Sequence, residues 1–181
     1  ASVIESNETV FSPAEPEKII DMFKEKEERA SMLVPKLKEL KKFEKEKENI
    51  LKFRGYSGVK TVLNDVLNTC KQSEEYLIMG TEGQLSERMP VFAKIFVARK
   101  DKKDLKARIL MKEGSEGKPF SKFTKVKYVP QEVVSPANVT IYSNKVAVML
   151  WSAIPEAIII DNSDVAKTFK SYFEFMWKNA R

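Results

Sequence analysis

The first quarter of the chain carries a helical pattern with a narrow apolar stripe. Positions at alternating spacings of four and three across residues 19–40 are apolar except for Lys26, and the pattern then breaks. A narrow stripe between highly charged faces is typical of a coiled coil, whereas a helix that lies on a globular core usually carries a wider one. We therefore predict a coiled-coil helix over residues 16–52 that joins two copies of the chain through Leu33, Leu37 and Leu40.

Prolines mark the boundaries of this predicted helix. Residues 1–15 read as an extended linker that includes Thr9–Phe11, and Pro16 suits the first position of a helix. Pro35 lies inside the pattern and removes one backbone hydrogen bond, so we expect a kink or break near Met32–Pro35. Two helices folded back on each other as a hairpin are the alternative to a single long helix.

Residues 53–181 alternate short apolar runs with amphipathic stretches, which predicts a globular domain. Predicted strands cover residues 52–56, 75–79, 105–111, 126–129, 139–142, 145–151 and 156–160. Predicted helices cover residues 57–70, 90–103 and 163–181, with residues 81–89 as a polar loop. Ser57 is the expected cap of the first helix, and Asn162 or Ser163 that of the last. The early order of strand, helix, strand, helix, strand predicts a parallel core with right-handed crossovers.

The last predicted helix carries an apolar and aromatic stripe along one side. The stripe consists of Val165, Phe169, Tyr172, Phe173, Met176 and Trp177. The simplest interpretation of such spacing is packing on a core rather than a ligand box.

Histidine is absent from the sequence, and Cys70 is its one cysteine. No histidine-based nucleophile system or general base is available without an imidazole. A single cysteine forms no intrachain disulfide and no four-cysteine zinc site. We therefore expect a protein that is not an enzyme, with no catalytic residue, metal or cofactor, in the cytoplasm. The apolar runs are too short to cross a membrane.

Positive charge is concentrated between residues 94 and 127, where twelve Lys and Arg face four Asp and Glu. A phosphate-tracking face is one interpretation of this stretch, and an ordinary solvated surface is the other. The candidate contacts to DNA phosphates are Arg99, Lys100, Lys102 and Lys103. The richness in Lys and Glu also suggests a thermophilic source, although a long charged helix alone gives the same counts.

Four segments together resemble a known family. They are "FRGYSGVKTVLNDVL", "EEYLIMG", "VTIYSNKVAVMLWS" and "EAIIIDNSDVAKTFKSYFEFMWKNA". The sequence from about residue 11 onward resembles the TrmB-type transcriptional regulators of archaea. The resemblance implies a winged helix that is missing here, a dimerising coiled coil, and a phospholipase D-like domain. The expected fold class is thus α/β: a long coiled-coil helix, residues 16–52, followed by a mixed β-sheet flanked by helices, residues 53–181.

The resemblance also implies a function. The chain would be the ligand-sensing and dimerisation part of a regulator, a homodimer that reaches DNA through the missing winged helix and responds to a small-molecule effector. Active phospholipase D-like proteins resemble one another in an HxKxxxxD motif, and the corresponding hairpin at residues 137–152 has no histidine. The alternatives are an architectural module that coats DNA without an effector, and a divergent phosphodiesterase.

Ligands of open α/β sheets bind at the carboxyl ends of parallel strands. This rule places a candidate ligand site at Gly80, Thr81 and Glu82, directly after the predicted strand at residues 75–79. Ser57 and Ser152 are expected nearby. The site requires a cavity that touches Gly80 or Thr81.

Overall fold

The computed structural model describes residues 3–5, 9–11, 15–42, 50–115, 121–133 and 136–181. The chain divides into two compact units, residues 1–47 and residues 48–181. Among the helices described, none is long and apolar enough to cross a membrane. The predicted division of the chain into a linker, residues 1–15, a coiled-coil helix, residues 16–52, and a globular domain, residues 53–181, stays a prediction.

The described residues of the first unit include one long helix. Strands β1, Val3–Glu5, and β2, Thr9–Phe11, pair antiparallel ahead of helix α1, Lys18–Lys42. The helix runs through Pro35, so the expected break is wrong and the chain does not fold back between residues 18 and 42. A proline removes a single backbone hydrogen bond, and this loss does not end α1 at residue 35. Leu33 and Leu37 are 55% and 60% exposed.

The predicted coiled-coil helix is too long at its carboxyl end. Helix α1 stops at Lys42, and strand β3 covers Ile50–Arg54, so residues 50–52 are extended. Alternation explains the strand, because Phe53 packs against the core while its neighbours Lys52 and Arg54 are exposed. A coiled coil that reaches residue 52 is therefore not shown.

The second unit, which begins with β3, holds seven strands and four helices in its described residues. The remaining strands are β4 Glu75–Thr81, β5 Lys106–Lys112, β6 Thr124–Val129, β7 Ala137–Tyr142, β8 Lys145–Leu150 and β9 Glu156–Asp161. The helices are α2 Gly55–Thr69, α3 Gln84–Arg88, α4 Pro90–Lys102 and α5 Ser163–Asn179. Two local predictions are corrected: Ser57 lies inside α2 rather than at its cap, and α3 occupies the expected polar loop.

The sheet has the order β3-β9-β8-β7-β4-β5-β6. Among the strands that the structure describes in this sheet, β4, β5 and β6 pair in parallel and the other neighbours are antiparallel. The expected parallel core from residue 52 to 111 is only partly present: β4 and β5 pair in parallel as expected, but β3 pairs with β9 instead of lying beside β4. The predicted hairpin of β7 and β8 is present, with Ser143 at a φ of 49° in its turn. The mixed α/β architecture is confirmed.

Helices cover both faces of this sheet. Helices α2 and α4 pack on one face, where Val59, Val62 and Phe96 are buried. Helix α5 packs on the other face around Phe173. Strands β3, β4, β5, β6 and β8 run in the same direction and end at one edge of the sheet, where β7 and β9 begin. This end of the sheet is called the carboxyl edge below.

Helix α5 has the predicted N-terminal cap, and all but one residue of its predicted apolar and aromatic stripe pack on the sheet. The Asn162 side chain accepts hydrogen bonds from the backbone N–H groups of Asp164 and Val165, at 2.9 and 3.1 Å, which is an N-cap. Most of the stripe packs on the sheet, but Tyr172 is exposed. The stripe is therefore core packing for all of its members except Tyr172.

Arg108 of β5 fastens α5 to the sheet. Its two terminal nitrogens donate to the Glu174 carboxylate at 2.8 and 2.6 Å, and its Nε donates to Glu75 at 2.9 Å. The guanidinium also lies over the rings of Phe173 and Trp177, at 5.3 and 5.4 Å from their centroids. A bidentate pair stacked on aromatic rings fixes geometry as well as charge.

Glu174→Gln is expected to weaken the acid dependence of stability. Hydrogen bonding from Arg108 holds the pKa of Glu174 below its usual range, against the opposing effect of burial. Because the pKa is lower in the folded chain, the carboxylate stabilises the fold at neutral pH, and this contribution disappears as the pH falls through the carboxyl range. Urea unfolding at pH values from about 7 down to about 3 measures the difference. Parallel curves for the wild type and Glu174→Gln would contradict it, and Glu132→Gln in an exposed turn is the control.

Candidate functional site

A polar cleft of about 330 Å³ opens at the carboxyl edge. Its walls come from the ends of β4, β5 and β8, the start of β7, and helix α3. The lining residues are Glu82, Gln84, Glu87, Arg88, Lys112, Pro136 and Trp151. Two acidic and two basic side chains face one cleft, so it suits a ligand that carries both charges or neither.

Lys112 is the last residue of β5, Glu82 directly follows the neighbouring parallel strand β4, and the two meet across the cleft. The distance from Lys112 Nζ to Glu82 Oε1 is 3.7 Å, which is an ion pair beyond ordinary hydrogen-bond range. Gln84 orders the loop between β4 and α3: its Oε1 accepts from the Glu82 N–H at 2.9 Å and from the Thr81 hydroxyl at 3.3 Å.

Arg88 acts on the protein rather than on the open cleft. Its Nη1 donates to the backbone carbonyls of Trp151 and Ser152, at 2.6 and 2.9 Å, and so ties α3 to the loop after β8. The Trp151 indole donates to Asn138 Oδ1 at 2.6 Å. The indole is therefore held in one orientation on the wall of the cleft.

An apolar hollow of about 240 Å³ lies next to the polar cleft, and Pro136 lines both. The other lining residues of the hollow are Met79, Gly80, Leu110, Val129, Val133, Ala137, Val139 and Met176. The hollow therefore offers apolar surface within reach of the charged cleft.

The predicted ligand residues are only partly brought together. Glu82 lines the polar cleft and Gly80 lines the apolar hollow, so a cavity does touch Gly80. Thr81 lies between them in the chain, and its hydroxyl also accepts from the Gly83 N–H at 3.2 Å. Ser57 and Ser152 line neither cavity, and the Ser152 hydroxyl donates to the Ile154 carbonyl at 2.6 Å. The role of all five as ligand residues stays a prediction.

Sequence reasoning missed most of the cleft. Lys112 had a local signal, because a lysine that ends a buried strand lies at the carboxyl edge. No local sequence signal marked Arg88 and Trp151 as neighbours, because they lie 63 residues apart in the chain and meet only in the folded structure.

The structure corrects one predicted phosphate contact. Lys100 is only 2% exposed. Its Nζ donates to Ser121 Oγ at 2.8 Å and to the Leu105 carbonyl and Thr124 Oγ1 at 3.3 Å each, and it pairs with Asp101 at 2.9 Å. A buried ammonium with these partners ties α4 to the strands and is not available to DNA.

The other three predicted contacts differ in exposure. Arg99 and Lys102 are exposed, and Arg99 Nη1 donates to Asn64 Oδ1 at 2.7 Å. Lys103 is half-buried and donates to the carbonyls of Leu67 and Cys70 at the end of α2. A lysine there satisfies carbonyls that the helix leaves unpaired. Arg99 and Lys102 are thus the candidates at the surface.

The described residues offer neither a metal site nor a thiolate at neutral pH. No group of three or more His, Cys, Asp or Glu side chains that could hold a metal ion occurs among them. Burial raises the pKa of the Cys70 thiol to about 11, so the thiol is protonated at neutral pH.

A seven-stranded mixed sheet with helices on both faces defines the class of fold, and it is that of phospholipase D family members. Nuc from Salmonella typhimurium, a phospholipase D family member, matches with a TM-score of 0.53 and 13% identity, over 73% of this chain and 95% of that one. NucT from Helicobacter pylori matches with a TM-score of 0.53 and 14% identity, over 72% of this chain and 96% of that one.

A third match is TrmBL2, an archaeal chromatin protein whose structure shows a novel mode of DNA binding. Its TM-score is 0.49 and its identity 16%, over 91% of this chain. The chain spans 65% of the length of that structure. No protein-family model and no curated protein sequence matches the chain.

The likenesses to Nuc and NucT contradict the expectation that the chain is not an enzyme. Nuc is a phospholipase D family member, so the fold is one on which enzymes are built. The error was to infer a lack of activity from the absence of one residue type. The absence of histidine is a fact of the sequence, but it excludes only chemistry that needs an imidazole.

Proposed function

We propose that the chain is the ligand-sensing and dimerisation part of a TrmB-like transcription regulator of archaea, which works in the cytoplasm. The observation that carries the proposal is the polar cleft at the carboxyl edge, where a loop ordered by Gln84 presents Glu82 opposite Lys112. Open α/β sheets bind ligands in this position. The cleft is large enough for a small metabolite.

Two further features support a regulator. The apolar side chains of α1, Leu33 and Leu37 among them, are exposed on a single chain, as a dimerisation helix requires. Leu40 continues the same spacing. Arg99 and Lys102 offer exposed positive charge to DNA phosphates. In this proposal, their contribution to DNA affinity would add to that of a winged helix elsewhere in the protein.

A metabolite screen by thermal unfolding tests the sensing role. A ligand at about 100 times its dissociation constant stabilises the folded chain by about 2.7 kcal/mol. We expect at least one metabolite to raise the unfolding temperature, and Lys112→Met to abolish the shift. Lys52→Met is the matched control. Lys52 also pairs with a glutamate, Glu156, at 3.3 Å, but Lys52 lies on β3 and does not line the cleft.

The same protein should then show whether binding has a regulatory consequence. Sedimentation and DNA affinity, measured over a range of salt concentrations with and without the ligand, report a change in assembly or in phosphate contacts. No stabilising metabolite, or an equal shift in Lys112→Met, would overturn the sensing role. Turnover of a phosphodiester substrate would favour the phosphodiesterase alternative instead.

A further inference from the structure

The polar cleft and the apolar hollow form one composite site of opposite polarities. We propose that this site binds an α-amino acid with an apolar side chain, the charged head in the cleft and the side chain in the hollow. The inference rests on the proposed function, because it names the class of effector that the regulator senses.

The cleft places one acidic and one basic side chain, Glu82 and Lys112, opposite each other at the right spacing, and Glu87 adds a second acidic side chain to its lining. Glu82 and Lys112 are partly exposed, and the 3.7 Å between their charged atoms leaves hydrogen-bonding capacity on both. A partly exposed ion pair contributes little stability, so a ligand can replace it at small cost. The ammonium of an amino acid binds Glu82, and its carboxylate binds Lys112.

The hollow matches a side chain rather than a second polar group. Its wall is made by the side chains of Met79, Leu110, Val129, Val133, Val139 and Met176, together with Gly80, Pro136 and Ala137. Burial of apolar ligand surface against such a wall is worth about 25 cal/mol per Å². The hollow therefore distinguishes an apolar amino acid from glycine.

The geometry of β5 connects the two halves of the site. Leu110 lines the hollow, and Lys112, two residues further along the same strand, lines the cleft. Residues two apart in a strand lie on one face, about 7 Å from each other. Pro136 lines both cavities, so one small ligand can place its charged head against Lys112 and its apolar side chain against Leu110.

The charges of the cleft argue against a phosphorylated ligand. A nucleotide or sugar phosphate carries at least one doubly charged group, which proteins usually meet with several cations or backbone N–H groups. Arg88 is committed to the carbonyls of Trp151 and Ser152, and Glu82 and Glu87 repel an anion. Lys112 alone can balance the single carboxylate of an amino acid.

Calorimetric titration of the chain with L-leucine and L-phenylalanine tests the proposal. Three probes dissect the ligand: glycine lacks the side chain, 4-methylpentanoate lacks the ammonium, and 3-methylbutylamine lacks the carboxylate. We expect L-leucine or L-phenylalanine to bind, and each of the three probes to bind at least about tenfold weaker, which corresponds to the loss of about 1.4 kcal/mol.

Variants assign each contact. Lys112→Met and Glu82→Gln should each weaken binding of the amino acid at least about tenfold. Val133→Trp fills the hollow from an exposed loop position and should weaken L-leucine more than glycine. Lys52→Met is the control, because β3 lies five strand positions from β5, about 24 Å at roughly 4.8 Å per strand.

The outcomes separate this inference from the proposed function. Equal affinity for glycine and L-leucine, or unchanged binding by Lys112→Met, overturns the inference. If no amino acid binds but another metabolite stabilises the chain, the ligand class is wrong and the sensing role stands. If L-leucine binds through Lys112 while assembly and DNA affinity stay constant, the ligand class stands and the regulator role fails.

Discussion

Phe173→Ala is expected to lower the free energy of unfolding by about 3–5 kcal/mol, the range for truncating a buried phenylalanine. Phe173 is 0% exposed at the centre of the contact between α5 and the sheet. Its ring stacks on Trp177 with centroids 5.5 Å apart, and the Arg108 guanidinium lies over it. The substitution leaves a cavity and removes one of the two rings on which Arg108 rests.

Phe175→Ala is the matched control, because it makes the same change two residues along the same helix. Phe175 is 72% exposed, so its loss should change the free energy of unfolding by no more than about 0.5 kcal/mol. Urea unfolding, with the dependence on urea compared among the variants, measures both values. Similar losses for the two variants would mean that α5 does not pack on the sheet through Phe173.

The sequence predicted well the elements whose signals are local. The α5 stripe shows helical spacing, the Asn162 cap directly precedes it, and the Ser143–Asn144 turn joins two apolar runs. Each signal needs only residues within a few positions of one another. Tyr172 was misplaced because spacing gives the face of a helix, whereas burial depends on how far the sheet extends beneath it.

Strand pairing was beyond the reach of such signals. Parallel pairing of β3 and β4 follows from a strand, helix, strand pattern, but β3 instead pairs with β9, more than a hundred residues away. The alternation of polar and apolar residues within β3 would be the same whether β3 paired with β4 or with β9. Only the hairpins that fill the sheet between β3 and β4 decide the choice, and these are encoded later in the chain.

Lys100 shows why charge counting fails at single residues. It belongs to a run of cations that includes the exposed Arg99 and Lys102, yet its ammonium is buried among Leu105, Ser121 and Thr124. Burial acts to raise the pKa of its neighbour Asp101, but hydrogen bonds from Lys100 and Ser121 outweigh this and lower it. The partners that accept the lysine lie up to 24 residues further along the chain, so no local pattern marks it.

The sequence predicted the end of the sheet at which the cleft lies, but not most of the residues that line the cleft. The rule that ligands bind at the carboxyl ends of strands depends only on chain direction, and it led to Gly80 and Glu82. The opposing charge, Lys112, and the wall residue Trp151 come from other strands. Their convergence depends on the order of strands in the sheet, which the sequence pattern did not supply.

Leu37→Glu is expected to convert a dimer of the chain into monomers. The prediction follows from the proposed pairing through α1, in which Leu37 faces its copy across a narrow apolar seam. A glutamate there would place two like charges in a contact that excludes water, and neither would have a partner. Sedimentation velocity at matched concentrations measures the mass of both proteins.

Met32→Glu is the control on the same helix. Position 32 lies well away from the stripe that contains Leu33 and Leu37, since successive residues turn by about 100°, and its side chain is equally exposed on a single chain. We expect Met32→Glu to stay dimeric, because its charge faces solvent. A dimer in both variants would assign the pairing to the globular domain, whereas monomers in both would mean that α1 pairs through a different face.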